Sequence, residues 1–370
     1  MDTIGTIMYR GSASRSGQMP GRGPTGSPRL RFRVDMPANW NYFAPAAAAG
    51  VVYVARAEFD DVVALDAATG AERWRCTTPV CDSGQPDLID GPALMGGLLY
   101  VANQENFVAV DTTDGTVAWC FEHHSNWGWS PPAVEKGSVY AVNALDGLYA
   151  LDRLTGSLRW RFELDPEKSW WVGGGRIATV AEGLVFVDGR ALDAETGEVV
   201  WQIDRDRHDW RCPVVSENRL YLLSSPWPHL AVHALDARTG ADLWSASPRG
   251  SYDVNLPVVS SGRLFTTDGV TIYALDATSG AESWRYAPDG GLHNWDRPNC
   301  APVVAGDTLY VDTGGRGDTR MLLAINAETG REEWRFPLPS LDRKTGTMTV
   351  DEGVVYAPVW LGLVAVEGTG

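Results

Sequence analysis

Four of the six histidines in this 370-residue chain fall in short segments that also carry tryptophan and, in two cases, arginine and aspartate. His208-Asp209-Trp210-Arg211-Cys212-Pro213 and His293-Asn294-Trp295-Asp296-Arg297-Pro298 are near-copies, each with His two residues before Trp and then Arg and Pro. A third segment reads His123-His124-Ser125-Asn126-Trp127-Gly128-Trp129, and a fourth Lys168-Ser169-Trp170-Trp171. Imidazole titrates near neutral pH and can give or take a proton. Guanidinium holds a carboxylate or a developing oxyanion, and tryptophan faces hold flat or cationic groups. This set is suited to proton-transfer chemistry that needs no cofactor: cyclisation, isomerisation, elimination or hydrolysis. No serine-nucleophile motif accompanies it. Gly173-Gly174-Gly175 and Gly314-Gly315-Arg316-Gly317 lack the lysine and following helix of a phosphate-binding loop.

The elements that carry these segments are set by an internal repeat. An apolar–Ala–apolar–Asp run is followed by a Gly and, four residues after it, a Trp. Copies occur at Asp66/Gly70/Trp74, Asp111/Gly115/Trp119, Asp152/Gly156/Trp160, Asp193/Gly197/Trp201, Asp236/Gly240/Trp244 and Asp276/Gly280/Trp284. Asn326/Gly330/Trp334 is a seventh, and Val364-Ala365-Val366-Glu367 begins an eighth. The spacing of 40 to 50 residues suits a four-stranded propeller blade. Gly147-Leu148-Tyr149-Ala150-Leu151 alternates as a strand. The Asp can bond amides two or three residues on, the Gly supplies positive φ, and the Trp can seal one blade on the next. These Asp residues are therefore read as turn formers rather than catalytic acids. Arg29-Leu30-Arg31-Phe32 matches Trp160-Arg161-Phe162 with Leu30 in the Trp place, so residues 29–33 are expected to supply the missing last strand near residues 354–367. The expectation is one all-β domain over 1–370: an eight-bladed propeller of four-stranded antiparallel blades, closed by pairing of its two ends, with 1–28 as a lead-in.

The Ala-Leu-Asp-x-x-Thr-Gly-x-x-x-Trp repeat, with the opening Tyr9-Arg10-Gly11-Ser12-Ala13-Ser14-Arg15-Ser16-Gly17, resembles the pyrroloquinoline-quinone-like propeller family. That family includes quinoprotein alcohol dehydrogenases, the B subunit of the outer-membrane-protein assembly machine and sensor modules. The resemblance implies that each segment between a Trp strand and the next blade crosses one face near the axis. The His- and Trp-rich segments would then meet there as a cup for a small aromatic or polyene-like molecule. Trp40, Tyr42, Trp127, Trp129, Trp170, Trp171, Trp210, Tyr252, Trp295 and Trp360 are the candidate walls. His208 and His293 are the candidate acid and base, with His124 a further candidate. Asp209 and Asp296 would orient or charge the neighbouring imidazole, and Arg211 and Arg297 would anchor negative charge. The dehydrogenases of the family resemble one another in an adjacent Cys-Cys pair and a calcium site. Here Cys76, Cys81, Cys120, Cys212 and Cys300 are all separated, so no cofactor is expected. A metal on His124, His208 and His293 finds only Asn39-Trp40-Asn41 in blade one, so none is assigned. The alternative to an enzyme is a non-catalytic scaffold with a protein partner.

Composition narrows the partners. The formal net charge is −16, with no basic stripe, which argues against nucleic acid. No apolar run reaches the ~18–20 residues of a membrane span, and the N-terminus has no basic start before a long apolar stretch. With five cysteines, an odd number, the expectation is free thiols and a cytoplasmic protein without membrane partners.

Overall fold

The computed structural model describes residues 7–36, 44–56, 61–79, 91–102, 106–123, 129–143, 146–164, 177–203, 211–224, 231–247, 256–268, 270–289, 292, 301–314, 320–339, 346–359 and 362–369; among them are strands and turns and no helix. They form eight sheets, each with four antiparallel strands in blade order, making an eight-bladed propeller. Blade three is representative: Ala133–Glu135 innermost, then Ser138–Asn143, Gly147–Asp152 and Leu158–Glu163 at the rim. Its second strand is buried throughout and its third all but throughout, because neighbouring blades cover both faces. The rim strand instead alternates charged and apolar residues.

The repeat residues do what their chemistry predicts. Asp66 Oδ1 accepts from the amides of Ala68 and Thr69 at 3.0 and 2.9 Å and from the Thr69 hydroxyl at 2.9 Å. Asp152, Asp193, Asp236 and Asp276 make the same cap. The Trp seals the seam: Trp160 Nε1 and the Tyr140 hydroxyl both donate to the carbonyl of Ala194 in the next blade, at 3.1 and 2.9 Å. Beneath that indole lies Gly197, at φ +76°, where a Cβ would stand 2.7 Å from the ring. The turn thus needs glycine both for its backbone conformation and for the close approach of the ring.

Ring closure occurs where the sequence places it, over a longer span and with one correction. Pro28–Asp35 is the rim strand of blade eight and pairs antiparallel with Gly362–Gly368. Phe32, not Leu30, takes the Trp place. Ala365 pairs with Phe32 as Ala64 pairs with Trp74, and Phe32 packs on Tyr356 at 6.4 Å between ring centroids. Leu30 is 51% exposed. Every other rim strand has a register shift beside its Trp, and matching by local similarity alone slips across such a bulge.

The lead-in occupies the axis. The amides of Val180, Val215, Val259 and Val304, on the innermost strands of blades four to seven, donate to the carbonyls of Ala13, Ser14, Ser16 and Gly17 at 2.7–2.9 Å. Ile7 bridges Leu94 of blade two, and Met8 Sδ accepts from the Val134 amide of blade three at 3.2 Å. Gln18–Met19 adds a short parallel strand to blade seven. Innermost strands present one edge to the axis, and this segment satisfies their otherwise unpaired amides.

Candidate functional site

Each rim strand ends, and the next innermost strand begins, at one end of the ring, the end at which second strands finish and third strands start. Most residues expected to build a cup there fall outside the described residues: Trp40, Tyr42, His124, Trp127, Trp170, Trp171, His208, Asp209, Trp210, Tyr252, His293, Trp295, Asp296, Arg297 and Trp360. Arg211 is described by its backbone alone, as the first residue of blade five's innermost strand, Arg211–Ser216. Trp129 is described, and it is packed into the blade rather than lining open space. It is 1% exposed and lies against Phe107, Phe121, His123 and Tyr149 at 5.0–6.2 Å between centroids.

The axis at this end is floored by lead-in side chains that sequence reasoning did not assign. Arg15 donates from Nε to the Ala178 carbonyl and from a terminal nitrogen to that of Pro131, both at 2.7 Å, and to Tyr9 at 3.3 Å. Arg10 donates to the Pro257 carbonyl. Both are fully buried. Pro131, Ala178 and Pro257 lie one or two residues before innermost strands, so both guanidinium groups sit at the linker end of the axis. A repeat search misses them because the lead-in belongs to no repeat.

A polar cluster on the same face spans the seam between blades two and three. His123 directly follows the rim strand of blade two, Val117–Glu122. Its Nε2 lies 3.0 Å from Asp146 Oδ2 and 2.8 Å from the Tyr149 hydroxyl. Tyr149 donates to the same Asp146 oxygen at 2.7 Å. The Arg161 guanidinium stands 3.4 Å from that oxygen and 5.5 Å over the Tyr149 ring. Burial first, and then the Asp146 carboxylate, push the Tyr149 phenol well above its ordinary range. Trp129 closes the cluster, edge-on to His123 at 5.3 Å. Three atoms in it are buried and have no hydrogen-bond partner: His123 Nδ1, Asp146 Oδ1 and Trp129 Nε1.

Related pairs line the face in other blades. In blade six, Tyr273 donates to Asp268 at 2.7 Å, and its phenol is pushed up to about 12 by burial and then by that carboxylate. In blade seven, Arg320 Nε bonds Asp312 at 3.0 Å, both buried. In blade one, Asp61 takes Arg56 and Arg75. A Tyr three residues before the turn Asp, with an Asp at the preceding loop, is a signal that blades three and six share in the sequence. Among the described residues, no group of three or more His, Cys, Asp or Glu could hold a metal ion.

The chain matches the family model described as outer membrane protein assembly factor BamB over residues 24–125, 58–202, 145–226 and 229–370. It is 29% identical to the assembly factor BamB of Yersinia pestis over 73% of this chain and 70% of that one. It is 39% identical to the serine/threonine-protein kinase AfsK of Streptomyces griseus, over 29% of this chain and only 14% of the kinase. Tetrathionate hydrolase of Acidithiobacillus ferrooxidans is 28% identical over 63% of this chain and 42% of its own length. Among solved structures, BamB from Moraxella catarrhalis superposes with a TM-score of 0.67 over 92% of this chain and 97% of that one, at 18% identity. Quinohemoprotein alcohol dehydrogenase from Comamonas testosteroni gives 0.70 over 99% and 80%, at 14% identity. At those identities the structures speak for the fold alone.

Two consequences follow. The expectation of a cytoplasmic protein is overturned, because the relatives matched over most of the chain are named for assembly of the outer membrane. The residues present also do not fit a quinone held against paired cysteines: no two cysteines adjoin in the chain, and Cys76 and Cys120 lie in rim strands of different blades, away from the axis.

Proposed function

We propose, from the premise that this chain belongs to the BamB-type family of pyrroloquinoline-quinone-like propellers, that it is a cell-envelope propeller binding a small organic molecule at its linker end. The observation that carries this reading is the lead-in floor. Residues 7–19 fill the axis, and the Arg10 and Arg15 guanidinium groups stand at its linker end, where the His- and Trp-bearing segments begin and end. A blocked channel whose mouth is where the strands flanking the aromatic-rich stretches end suits a cup. The chemistry assigned to it is acid–base, with His208 and His293 exchanging the proton and Arg211 and Arg297 holding an anionic group. General acid–base groups give about 10²–10⁴-fold in rate, so loss of either histidine should cost that much.

A second reading has its own observation. The match to assembly factors runs through most of both chains, which favours a scaffold that docks a protein on this face. The two separate in one experiment. Wild-type protein and a His208→Ala/His293→Ala double variant are each incubated with a metabolite extract, and retained molecules are read by mass spectrometry. A small flat acid held by the wild type and lost by the variant supports the cup. Retention of none, with an envelope protein crosslinked to the linker face in cells, transfers the function to the scaffold.

A further inference from the structure

A carboxylate oxygen only accepts hydrogen bonds, and Asp146 Oδ2 already receives the Tyr149 hydroxyl at 2.7 Å. The 3.0 Å contact between His123 Nε2 and the same oxygen therefore requires hydrogen on Nε2. In the neutral ring this leaves the lone pair on Nδ1. That nitrogen has no partner, and neither does Asp146 Oδ1 or the Trp129 indole N–H. Buried polar atoms are nearly always paired, because leaving one unmade forfeits its hydration without return. Here three go unpaired on side chains in mutual contact, while Arg161 stands 3.4 Å from the Asp146 oxygen that His123 and Tyr149 share. The arrangement orients an imidazole by a carboxylate and leaves its other nitrogen open, as in a proton-accepting dyad. It is also not sealed in the core: the His123 and Asp146 side chains remain 20% and 26% exposed.

We propose that the His123–Asp146–Trp129 cluster at the seam of blades two and three is a ligand site for a neutral group bearing a donor hydrogen beside an acceptor oxygen, a primary amide above all. The amide N–H donates to Nδ1 or Asp146 Oδ1, and its carbonyl accepts from the indole N–H. Phe121, Trp129 and Tyr149 pack on one another behind these atoms, so the polar group enters from the partly exposed side of His123 and Asp146. A carboxylic acid fits poorly, since its anion brings no donor hydrogen and meets the charge of Asp146. This site stands on residues separate from His208 and His293, so it survives or fails independently of the axial cup.

The test uses the whole chain with nitrogen-15-labelled histidine, benzamide as the probe and benzoate as its control. In the neutral ring the His123 nitrogens should report hydrogen on Nε2 and a lone pair on Nδ1. Benzamide should move the His123 resonances saturably, and in His123→Gln, where those resonances are gone, it should leave the remaining histidine resonances unmoved. In Trp129→Phe, which loses the indole donor and part of the ring, benzamide should bind at least about tenfold more weakly, the cost of one hydrogen bond left unmade. The His208→Ala/His293→Ala variant should respond as the wild type does. Thermal melting of each variant separates a lost site from a lost fold. The proposal falls if the hydrogen is found on Nδ1, if benzamide leaves His123 unmoved in folded protein, or if benzoate moves it as far. In any of these cases the three atoms belong to the seam's own packing.

Discussion

The hydroxyl of Tyr140 meets the Ala194 carbonyl of the next blade at 2.9 Å. Tyr310 holds the same place in blade seven and packs tilted against Trp334 at the same 5.8 Å as Tyr140 against Trp160. Yet no carbonyl of blade eight receives its hydroxyl, because the split blade has no Asp-x-x-Thr-Gly turn there. Gly23 of the lead-in lies against the hydroxyl instead, so closely that a Cβ at that position would stand 1.8 Å from it. Two substitutions of one kind should then differ. Tyr140→Phe should cost about 1 kcal/mol, the net worth of a hydrogen bond whose acceptor stays buried. Tyr310→Phe should cost nothing measurable, and Gly23→Ala should destabilise through overlap that Tyr310→Phe partly relieves. Urea midpoints of the four proteins check this, and equal losses for the two tyrosines would refute the account of the open seam.

At the scale of elements, the lead-in is tied by its backbone to the innermost strands of blades two and four to seven and by Arg15 to the carbonyls of two blades. Replacing Arg15 with Leu leaves those buried carbonyls without their donor. It should cost roughly 2–4 kcal/mol, and it should loosen the whole strap rather than one contact. The reading is amide exchange: Val180, Val215, Val259 and Val304 should lose protection together, since their acceptors lie on one short run of chain. Unchanged exchange at these four would show that the backbone bonds hold the strap without the arginine. The strap was not legible in the sequence, because an edge satisfied by carbonyls leaves no side-chain period behind. The blades were legible because turn Asp, positive-φ Gly and seam Trp each answer a need that recurs in every copy. The closing strand lay between these cases. Its partner was readable, but its register depended on a bulge that only the Ala365–Phe32 pairing reveals. For the site, residue types marked the linker face, while the pairing of His123 with Asp146 joins residues from two blades and has no local signature.

Five blades of the ring share one acid sensitivity. Asp66 and Asp152 are held down to about 2, first by hydrogen bonds from Arg73 and Arg159. Asp193, Asp236 and Asp276 are lowered too: Asp193 first by the Thr196 amide, the other two first by the Thr239 and Ser279 hydroxyls. A carboxyl whose pKa is depressed by folding contributes stability above its unfolded value, and that contribution is lost as pH falls through the folded value. The window here runs downward from about pH 4, and these turns enter it together. Asp351 has the opposite sign: burial raises it to about 6, so stability falls as pH rises from about 4 to 6 and is regained on acidification through that range. It therefore cannot produce the loss expected below pH 4. Blade seven supplies the control. Asn326 caps the same turn, accepting from Glu328 and Thr329 amides at 3.2 and 2.9 Å, with no proton to gain. Converting Asp66, Asp152, Asp193, Asp236 and Asp276 to Asn should move the midpoint of acid unfolding to lower pH. At neutral pH the same protein should be somewhat less stable, since the Arg73 and Arg159 pairs are lost. Circular dichroism along an acid titration reads both effects. An acid midpoint unmoved by all five substitutions would show that these turn carboxylates do not set the acid sensitivity.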